Sequence, residues 1–265
     1  MRITILGSGP SSGIPAIGIG WGACDPKNPL NKRLRASILI ESNGKRVLID
    51  TSPDLRYQLL RTDIVHLDAV IYTHAHADHL HGLDDLRGIN RAMNTSLDIY
   101  ANAETLSVIA QRFAYALSPL HKDAHIYYKP VLNPHEIVPG SNYEIAGLKL
   151  RVFEQDHGFS KTIGFRFDNF AYTTDLVALP DEAFTLLEGV HTWIIGVFSD
   201  QPHATHVDVD KALQWRDLIK PKRMIMTHLG PRLDYGLLSK RLPKGAEPAF
   251  DFMTLNVPKR VRFQM

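Results

Sequence analysis

This sequence of 265 residues contains a single cysteine, Cys24, so no disulfide bond can form within the chain. It has no run of about eighteen uninterrupted apolar residues, the minimum for a membrane-spanning helix. The apolar stretch after Met1 ends at Gly7, which is too short for a signal peptide. These absences favour a cytoplasmic protein without membrane spans. The formal net charge of only +2 argues against nucleic acid as a partner.

Short β-rich runs alternate with helical patterns and are separated by Gly, Pro and Asn turns. Strands are predicted near 2–6, 36–41, 46–50, 68–73, 97–101, 147–153, 162–168, 170–174, 192–196 and 223–227. Helices are predicted near 53–61, 83–94, 103–116, 181–188 and 208–219. The pairs Asn43-Gly44 and Asp168-Asn169 predict hairpin turns. No repeat or polar linker divides the chain, so we predict one domain over residues 1–265, with helices outside two packed sheets.

The segment Thr73-His74-Ala75-His76-Ala77-Asp78-His79 directly follows an apolar run and concentrates imidazole and carboxylate groups. These are the ligand types that Zn²⁺ and Mn²⁺ prefer. His74 and His76 alternate along an extended segment, so their side chains can point the same way. Asp78 and His79 come after a turn into a helix and can face a second ion. The segment therefore predicts a metal site.

Further ligands are expected where single polar residues follow apolar strands. His157, Asp175 and His228 each occupy such a position. If these residues converge, one ion has His74, His76 and His157 as ligands, the other has Asp78, His79 and His228, and Asp175 bridges the two.

Several other residues have two interpretations each. Asp50 either orients a metal-bound histidine by accepting its second N–H or lies at the N-terminus of a helix. Ser11 and Ser12, in the Gly7–Gly13 loop after the first strand, either bind a phosphate or belong to a plain turn. His203 or His206 could be a proton donor at the mouth of the site, and their spacing does not decide between them.

Two remaining groups of residues are predicted to have no ligand role. The basic cluster Lys32, Arg33 and Arg35 is expected on a solvated face, although an anionic substrate would also favour it. The remaining histidines are expected at the surface or satisfied in the core: His66, His81, His121, His125, His135 and His191.

With these residues in order, the chain resembles the metallo-β-lactamase superfamily and, most closely, its phosphoribosyl 1,2-cyclic phosphodiesterase family, an accessory of the carbon–phosphorus lyase pathway. The closer likeness includes Leu6–Pro15, Thr205-His206-Val207-Asp208 and the segment 242–251. The resemblance implies a four-layer αββα sandwich, the seven metal ligands named above, a homodimer, and His206 rather than His203 as the catalytic histidine. His203 is then expected to bind substrate, as are Ser11 and Ser12.

The chain departs from that family in one respect. The family often has a structural zinc held by a cysteine cluster in the loop after the first strand, with a histidine just beyond the last metal ligand. Here that loop has only Cys24, and Gly230-Pro231-Arg232 follows Leu229. We therefore expect no structural zinc and interpret Cys24 as an ordinary loop thiol.

The predicted function is a binuclear metal-dependent phosphodiesterase acting on small cyclic phosphodiesters or nucleotides. Two ions about 3.5–4 Å apart would bind a bridging hydroxide that attacks phosphorus, with Asp78 orienting it. His206 would protonate the leaving alkoxide, which contributes about 10²–10⁴ in rate. The alternatives are a thioester or lactone hydrolase, an RNA-processing nuclease, or a non-catalytic carrier. The carrier alternative rests on Ser52-Pro53-Asp54-Leu55-Arg56, which is similar to a segment of the quinone-cofactor biosynthesis branch.

Overall fold

The computed structural model describes residues 1–259, which form fourteen strands and seven α-helices. The strands are β1 (Arg2–Gly7), β2 (Ser37–Ser42), β3 (Lys45–Ile49), β4 (Ala69–Ile71), β5 (Leu97–Ala101), β6 (Leu132–Glu136), β7 (Asn142–Ile145), β8 (Leu148–Asp156), β9 (Lys161–Phe167), β10 (Phe170–Thr173), β11 (Thr192–Gly196), β12 (Arg223–Thr227), β13 (Ala246–Pro248) and β14 (Met253–Asn256). The helices are α1 (Leu55–Thr62), α2 (Ala77–Leu80), α3 (Leu86–Met93), α4 (Ala103–Arg112), α5 (Asp181–Leu187), α6 (Val209–Ile219) and α7 (Tyr235–Arg241).

The strands form two seven-stranded mixed sheets of similar construction. The first has the order β14-β1-β2-β3-β4-β5-β6 and the second the order β13-β12-β11-β10-β9-β8-β7. Each sheet is antiparallel at one side and parallel at the other: β3 to β6 are parallel in the first sheet, and β10 to β13 in the second. The parallel strands of each sheet therefore have their carboxyl ends at one edge, where loops can bring side chains together.

The two sheets pack face to face, and helices cover both outer faces. Apolar residues of both sheets, such as Ile38 and Phe165, form one buried cluster between them. A second cluster joins the outer face of the second sheet to α5, α6 and α7, and a third joins the outer face of the first sheet to α1, α3 and α4. Alternating apolar residues along the strands supply the two faces of each sheet. The predicted αββα sandwich is confirmed.

Both predicted hairpins are present, and their turns have the expected backbone conformation. Asn43 and Gly44 have φ values of 51° and 77°, which suit a tight turn between β2 and β3. The antiparallel strands β9 and β10 are joined through Asp168, whose φ is 48°. All ten predicted strands and five predicted helices correspond to observed elements.

The four strands that the sequence did not predict, β6, β7, β13 and β14, are the outermost strands of the two sheets. Their sequences explain this. Leu132–Glu136 and Ala246–Pro248 contain prolines, which edge strands tolerate because one side of the strand needs no ladder hydrogen bond. Fewer than half of the residues in these four strands are buried, so the apolar pattern is weak. The short helices α2 and α7 were also not predicted as separate elements.

Arg33 corrects the prediction that the basic cluster is solvated, because only 2% of this residue is exposed. Its guanidinium donates hydrogen bonds to the carbonyl oxygens of Leu229, Gly230 and Leu233, at 3.3, 3.4 and 2.7 Å. These carbonyls belong to the loop after β12, so Arg33 ties the loop after β1 to the loop after β12. Arg35 pairs with Asp54 at 3.2 Å, and only Lys32 of the cluster is exposed.

Cys24 is buried in the same region, with its sulfur 3.5 Å from the carbonyl oxygen of Leu233. No helix within residues 1–259 is both long and apolar enough to cross a membrane.

Candidate metal centre and active site

The candidate site lies at the carboxyl ends of parallel strands from both sheets. Asp50 follows β3, His228 follows β12, and Asp175 lies two residues after β10. All three have left-handed backbone conformations, with φ values of 64°, 57° and 50°. Asp and His tolerate this region better than most residues, and non-glycine residues in it concentrate at functional sites. The chain thus turns sharply out of each strand where a polar side chain enters the site.

The histidine-rich segment continues from β4 into helix α2. His76 is the N-cap of α2, and Asp78 and His79 lie buried within its single turn. The carbonyl oxygen of His79 accepts a hydrogen bond from the backbone N–H of Thr51 at 2.7 Å, which holds the helix against the loop after β3. A β-carbon at Gly82 would lie 2.0 Å from the carbonyl oxygen of Ser52, so glycine is required for this close approach.

All seven predicted ligands come together in overlapping groups whose ligand atoms lie within 4.8 Å of one another. The groups are His74, His76 and His157; Asp78, His79 and His228; His74, His79 and Asp175; and His157, Asp175 and His206. The first two groups match the two ligand sets expected from the sequence. His206 joins the last group and was expected as a proton donor rather than as a ligand.

Asp175 occupies the central position between these groups. One of its oxygens, Oδ2, lies 2.8 Å from Nε2 of His79. The other, Oδ1, lies 3.3 Å from Nε2 of His228 and 3.5 Å from Nδ1 of His206. Asp78 also approaches His79 and His228, at 3.2 and 3.5 Å. A carboxylate in this position can coordinate two cations, one through each oxygen.

In three histidines the outer ring nitrogen, Nδ1, contacts a hydrogen-bond acceptor outside the ligand groups. This contact determines the tautomer, and therefore the state of the inner nitrogen, Nε2, which points into the site. Nδ1 of His79 lies 2.7 Å from Oδ2 of Asp50, and Nδ1 of His157 lies 2.7 Å from the carbonyl oxygen of Thr205. The Thr73 hydroxyl donates to Asp50, so it accepts from Nδ1 of His74 at 3.0 Å. Each Nδ1 therefore carries a proton, and in the neutral imidazole Nε2 has the lone pair that a metal ion would bind.

These inner nitrogens fit a metal centre. Nε2 of His74, His79 and His228 is buried and makes no hydrogen bond of good geometry, although carboxylate oxygens lie nearby. Buried polar atoms are rarely left without a partner. A cation coordinated by these atoms would satisfy them, and both Zn²⁺ and Mn²⁺ accept imidazole and carboxylate ligands.

Asp50 is fully buried and accepts from both the backbone N–H and the hydroxyl of Thr73, at 2.7 and 2.8 Å. Its contact with His79 agrees with the interpretation that Asp50 orients a metal-bound histidine by accepting its second N–H. The N-cap of α1 is Asp54, so Asp50 has no role at the start of that helix.

Burial and the crowding of charges shift several pKa values in the ion-free chain. Burial raises the pKa of Asp50, and the contact with His79 opposes this. Burial alone would raise the pKa of Asp175, but His228 and His79 outweigh it and hold the pKa well below its usual range. Burial would likewise lower the pKa of His79, yet Asp78, Asp175 and Asp50 raise it well above normal. Three carboxylates thus require compensating positive charge at this point.

A cavity of about 330 Å³ opens beside these ligands. Its lining residues include Ser11, His206, Phe159, Ser160 and Thr205. Burial, with His228 nearby, lowers the pKa of His206 to about 3 in the ion-free chain. A negative charge in the cavity would raise that pKa, because it favours the imidazolium form.

The other two predicted substrate-binding residues lie outside the residues that line this cavity. The Ser12 hydroxyl donates to the carbonyl oxygen of Gly13 at 3.1 Å. His203 is exposed, and its ring centroid lies 5.1 Å from that of Phe198 and 5.2 Å from that of His206. The sequence patterns predicted no functional role for Phe159, Ser160 or Thr205. Their only signal is proximity to His157 and His206 in the chain.

The model of the β-lactamase superfamily domain matches residues 45–229, more than half of the chain. A solved structure described as a new diphosphatase from the PhnP family has a TM-score of 0.87 and 33% identity, covering 96% of this chain and 97% of that one. The chain therefore belongs to the metallo-β-lactamase superfamily and, within it, to the PhnP family, as the motifs indicated. This membership supports a metal-dependent hydrolase.

Two further relatives add context. The octanoyltransferase of Porphyromonas gingivalis is 33% identical over 231 residues, which cover 86% of this chain but 46% of that protein. This chain thus spans about half the length of that curated relative. The structure of Zn²⁺-bound PqqB from Methylobacterium extorquens has a TM-score of 0.76 and 17% identity, covering 97% of this chain and 100% of that one, which shows a shared fold.

Proposed function

We propose that this chain is a phosphodiesterase that hydrolyses small cyclic phosphodiesters or nucleotides, such as a ribose 1,2-cyclic phosphate. The observation that carries the proposal is the pair of ligand groups that meet at Asp175, beside a cavity that His206 also lines. The similarity to a PhnP-family diphosphatase supports chemistry at phosphorus.

The residues suit two divalent ions, zinc or manganese. His74, His76 and His157 would hold one ion and Asp78, His79 and His228 the other, with Asp175 shared between them. Such ions withdraw charge from phosphoryl oxygens and make water an effective nucleophile near neutral pH.

The protein contributes orientation and a proton. Asp50, Thr73 and the Thr205 carbonyl fix the tautomers of the inner histidines, so the ligand set is preorganised. Asp78 is held by His79 and His228 and faces the cavity, where it can orient the attacking water. An anionic phosphoryl group in the cavity would let His206 hold a proton, which it would then give to the leaving alkoxide.

A second candidate is hydrolysis of a diphosphate bond, because the PhnP-family structure that this chain resembles is described as a diphosphatase. The leaving group would then be a phosphate, which needs less help from an acid than an alkoxide does. The two activities therefore differ in their dependence on His206.

The first experiment compares substrates with metal-reconstituted protein. We would measure turnover of a 2′,3′-cyclic nucleotide, ribose 1,2-cyclic phosphate, a nucleoside diphosphate ester and a glutathione thioester, with His74→Ala as the blank. Opening of either cyclic phosphate supports the proposal. Cleavage of the diphosphate ester alone supports the second candidate, and cleavage of the thioester alone contradicts both.

The role of His206 is tested with His206→Ala, using His203→Ala on the same segment as the matched control. We expect His206→Ala to retain both ions and to lose about 10²–10⁴ in turnover of cyclic phosphates. Turnover of p-nitrophenyl esters should change far less, because that leaving group needs no proton. Equal losses on both substrate types would contradict the role.

The homodimer and the single domain over 1–265 remain predictions. Light scattering coupled to gel filtration would measure the mass in solution, and limited proteolysis would test whether the chain is cut into stable parts.

A further inference from the structure

Phe159 is an anomaly beside the candidate site, because 94% of this large apolar residue is exposed. Among the exposed large apolar side chains of residues 1–259, it is the one that lines the cavity beside the metal ligands. Folding normally places phenylalanine inside, where its apolar area is removed from water. An apolar ring left at the mouth of a polar cavity is therefore available to a ligand.

The turn that bears Phe159 is held in place from both sides. The backbone N–H of His157 donates to the carbonyl oxygen of Ser160 at 3.0 Å, and that of Gly158 donates to Oδ1 of Asp156 at 2.8 Å. The contact of His157 with the Thr205 carbonyl ties the turn to the segment that carries His206. The backbone at Phe159 is thus held in place relative to the ligands before substrate arrives.

The close packing of this turn also requires glycine at position 158. Gly158 has a φ of 77°, and a β-carbon there would lie 2.9 Å from both the Ala204 carbonyl oxygen and Cγ2 of Thr205. The turn between β8 and β9 is therefore built against residues 204–205, and Phe159 is at its apex.

The chemistry of the cavity is divided between its floor and its mouth. The floor consists of imidazole and carboxylate groups suited to ions and a phosphoryl group, whereas Phe159 offers only an apolar π face. A cavity of about 330 Å³ is at the low end for small-molecule sites, so a bulky substituent of the substrate would extend towards the mouth. A nucleobase is flat and can stack on an aromatic side chain, whichever of the bases it is.

We propose that Phe159 is a specificity-determining residue that stacks on the base of the substrate, so that the preferred substrates are phosphodiesters bearing a nucleobase rather than the bare sugar phosphate. This inference rests on the proposed function and makes its substrate class narrower.

The test compares Phe159→Ala, Phe159→Leu and Phe159→Trp with the wild type in metal-loaded protein. We would measure kcat/KM for 2′,3′-cyclic AMP and for ribose 1,2-cyclic phosphate. Phe159→Ala should lower the ratio of nucleotide to sugar substrate roughly tenfold, mainly through KM, since stacking acts on binding. Phe159→Trp should keep the ratio of nucleotide to sugar substrate near that of the wild type. Phe159→Leu, which is apolar but not aromatic, should lower it as Phe159→Ala does.

Ile17→Ala is the matched control, because Ile17 is 102% exposed and does not line the cavity. It should leave the ratio unchanged. An equal loss on both substrates in Phe159→Ala, or full restoration by Phe159→Leu, would overturn the stacking role.

A binding measurement separates this proposal from the proposed function. Calorimetry with adenosine 3′-monophosphate and ribose 5-phosphate needs no turnover. If no cyclic phosphate is hydrolysed but Phe159→Ala still weakens the nucleotide selectively, the function proposal fails and Phe159 keeps its role. If cyclic phosphates are hydrolysed and the two ligands are weakened equally, the role of Phe159 fails alone.

Discussion

Replacing Asp50 with asparagine should weaken metal binding although Asp50 belongs to none of the candidate ligand groups. The side chain is fully buried, and each of its oxygens accepts from an N–H or hydroxyl donor. Oδ1 accepts the backbone N–H of Thr73, and Oδ2 lies 2.7 Å from Nδ1 of His79. An asparagine has the same shape, but one of its two positions becomes an NH₂ donor.

Either orientation of that amide produces a conflict. If the NH₂ group faces Thr73, it lies about 2.7 Å from the backbone N–H of Thr73, so two donors face each other where a hydrogen bond now forms. If it faces His79, the histidine must release its Nδ1 proton and carry it on Nε2, the atom that points at the ligand group. We therefore expect Asp50→Asn to lower metal affinity about 10–100-fold, or about 1.4–2.8 kcal/mol.

The assay is competition for Zn²⁺ against a chromophoric chelator, with circular dichroism as a check on folding. Asp54→Asn is the control, because Asp54 accepts from Arg35 at 2.8 Å and makes no contact with the site. A folded Asp50→Asn protein with the affinity of the wild type would refute the tautomer argument.

Three further predictions concern Arg33, Asp251 and the candidate metal ligands. Arg33→Met should lower the free energy of unfolding, measured by urea titration, by about 3–5 kcal/mol, because it leaves buried loop carbonyls unpaired. The control is Lys32→Met at the exposed neighbouring residue, which should change this free energy by less than about 0.5 kcal/mol. Burial raises the pKa of Asp251 to about 6, so its ionisation costs stability as pH rises from about 4 to 6. The free energy of unfolding of the wild type minus that of Asp251→Asn should therefore be more positive at pH 4.5 than at pH 7.5, by roughly 2 kcal/mol, and equal differences would contradict the burial argument. Adding Zn²⁺ should raise the Tm of the chelator-treated wild type by several degrees and that of His74→Ala much less, whereas equal shifts would place the metal elsewhere.

The interior strands and the candidate ligands are the parts that the sequence could predict. Interior strands bury both faces or alternate strictly, so Ile38–Ile40 and Trp193–Ile195 are recognisable. The ligands could be predicted because His74 to His79 are adjacent in sequence, and because Asp175 and His228 each end an apolar strand. Edge strands such as β6 and β13 were not predicted, since an unpaired edge relaxes the requirement for apolar residues and admits proline.

By itself, the sequence determined which residues have metal-binding chemistry, the layered fold and the family. Only the tertiary structure decided which groups meet. The charged neighbours of Arg33 predict a solvated side chain, yet three loop carbonyls more than 190 positions away accept its hydrogen bonds. The tautomers of His79 and His157 depend on Asp50 and Thr205, which no local pattern connects to them. Phe159 is likewise significant only because its turn packs against the segment that carries His206. Local patterns specify elements and ligand types, whereas contacts between distant loops depend on how the two sheets pack.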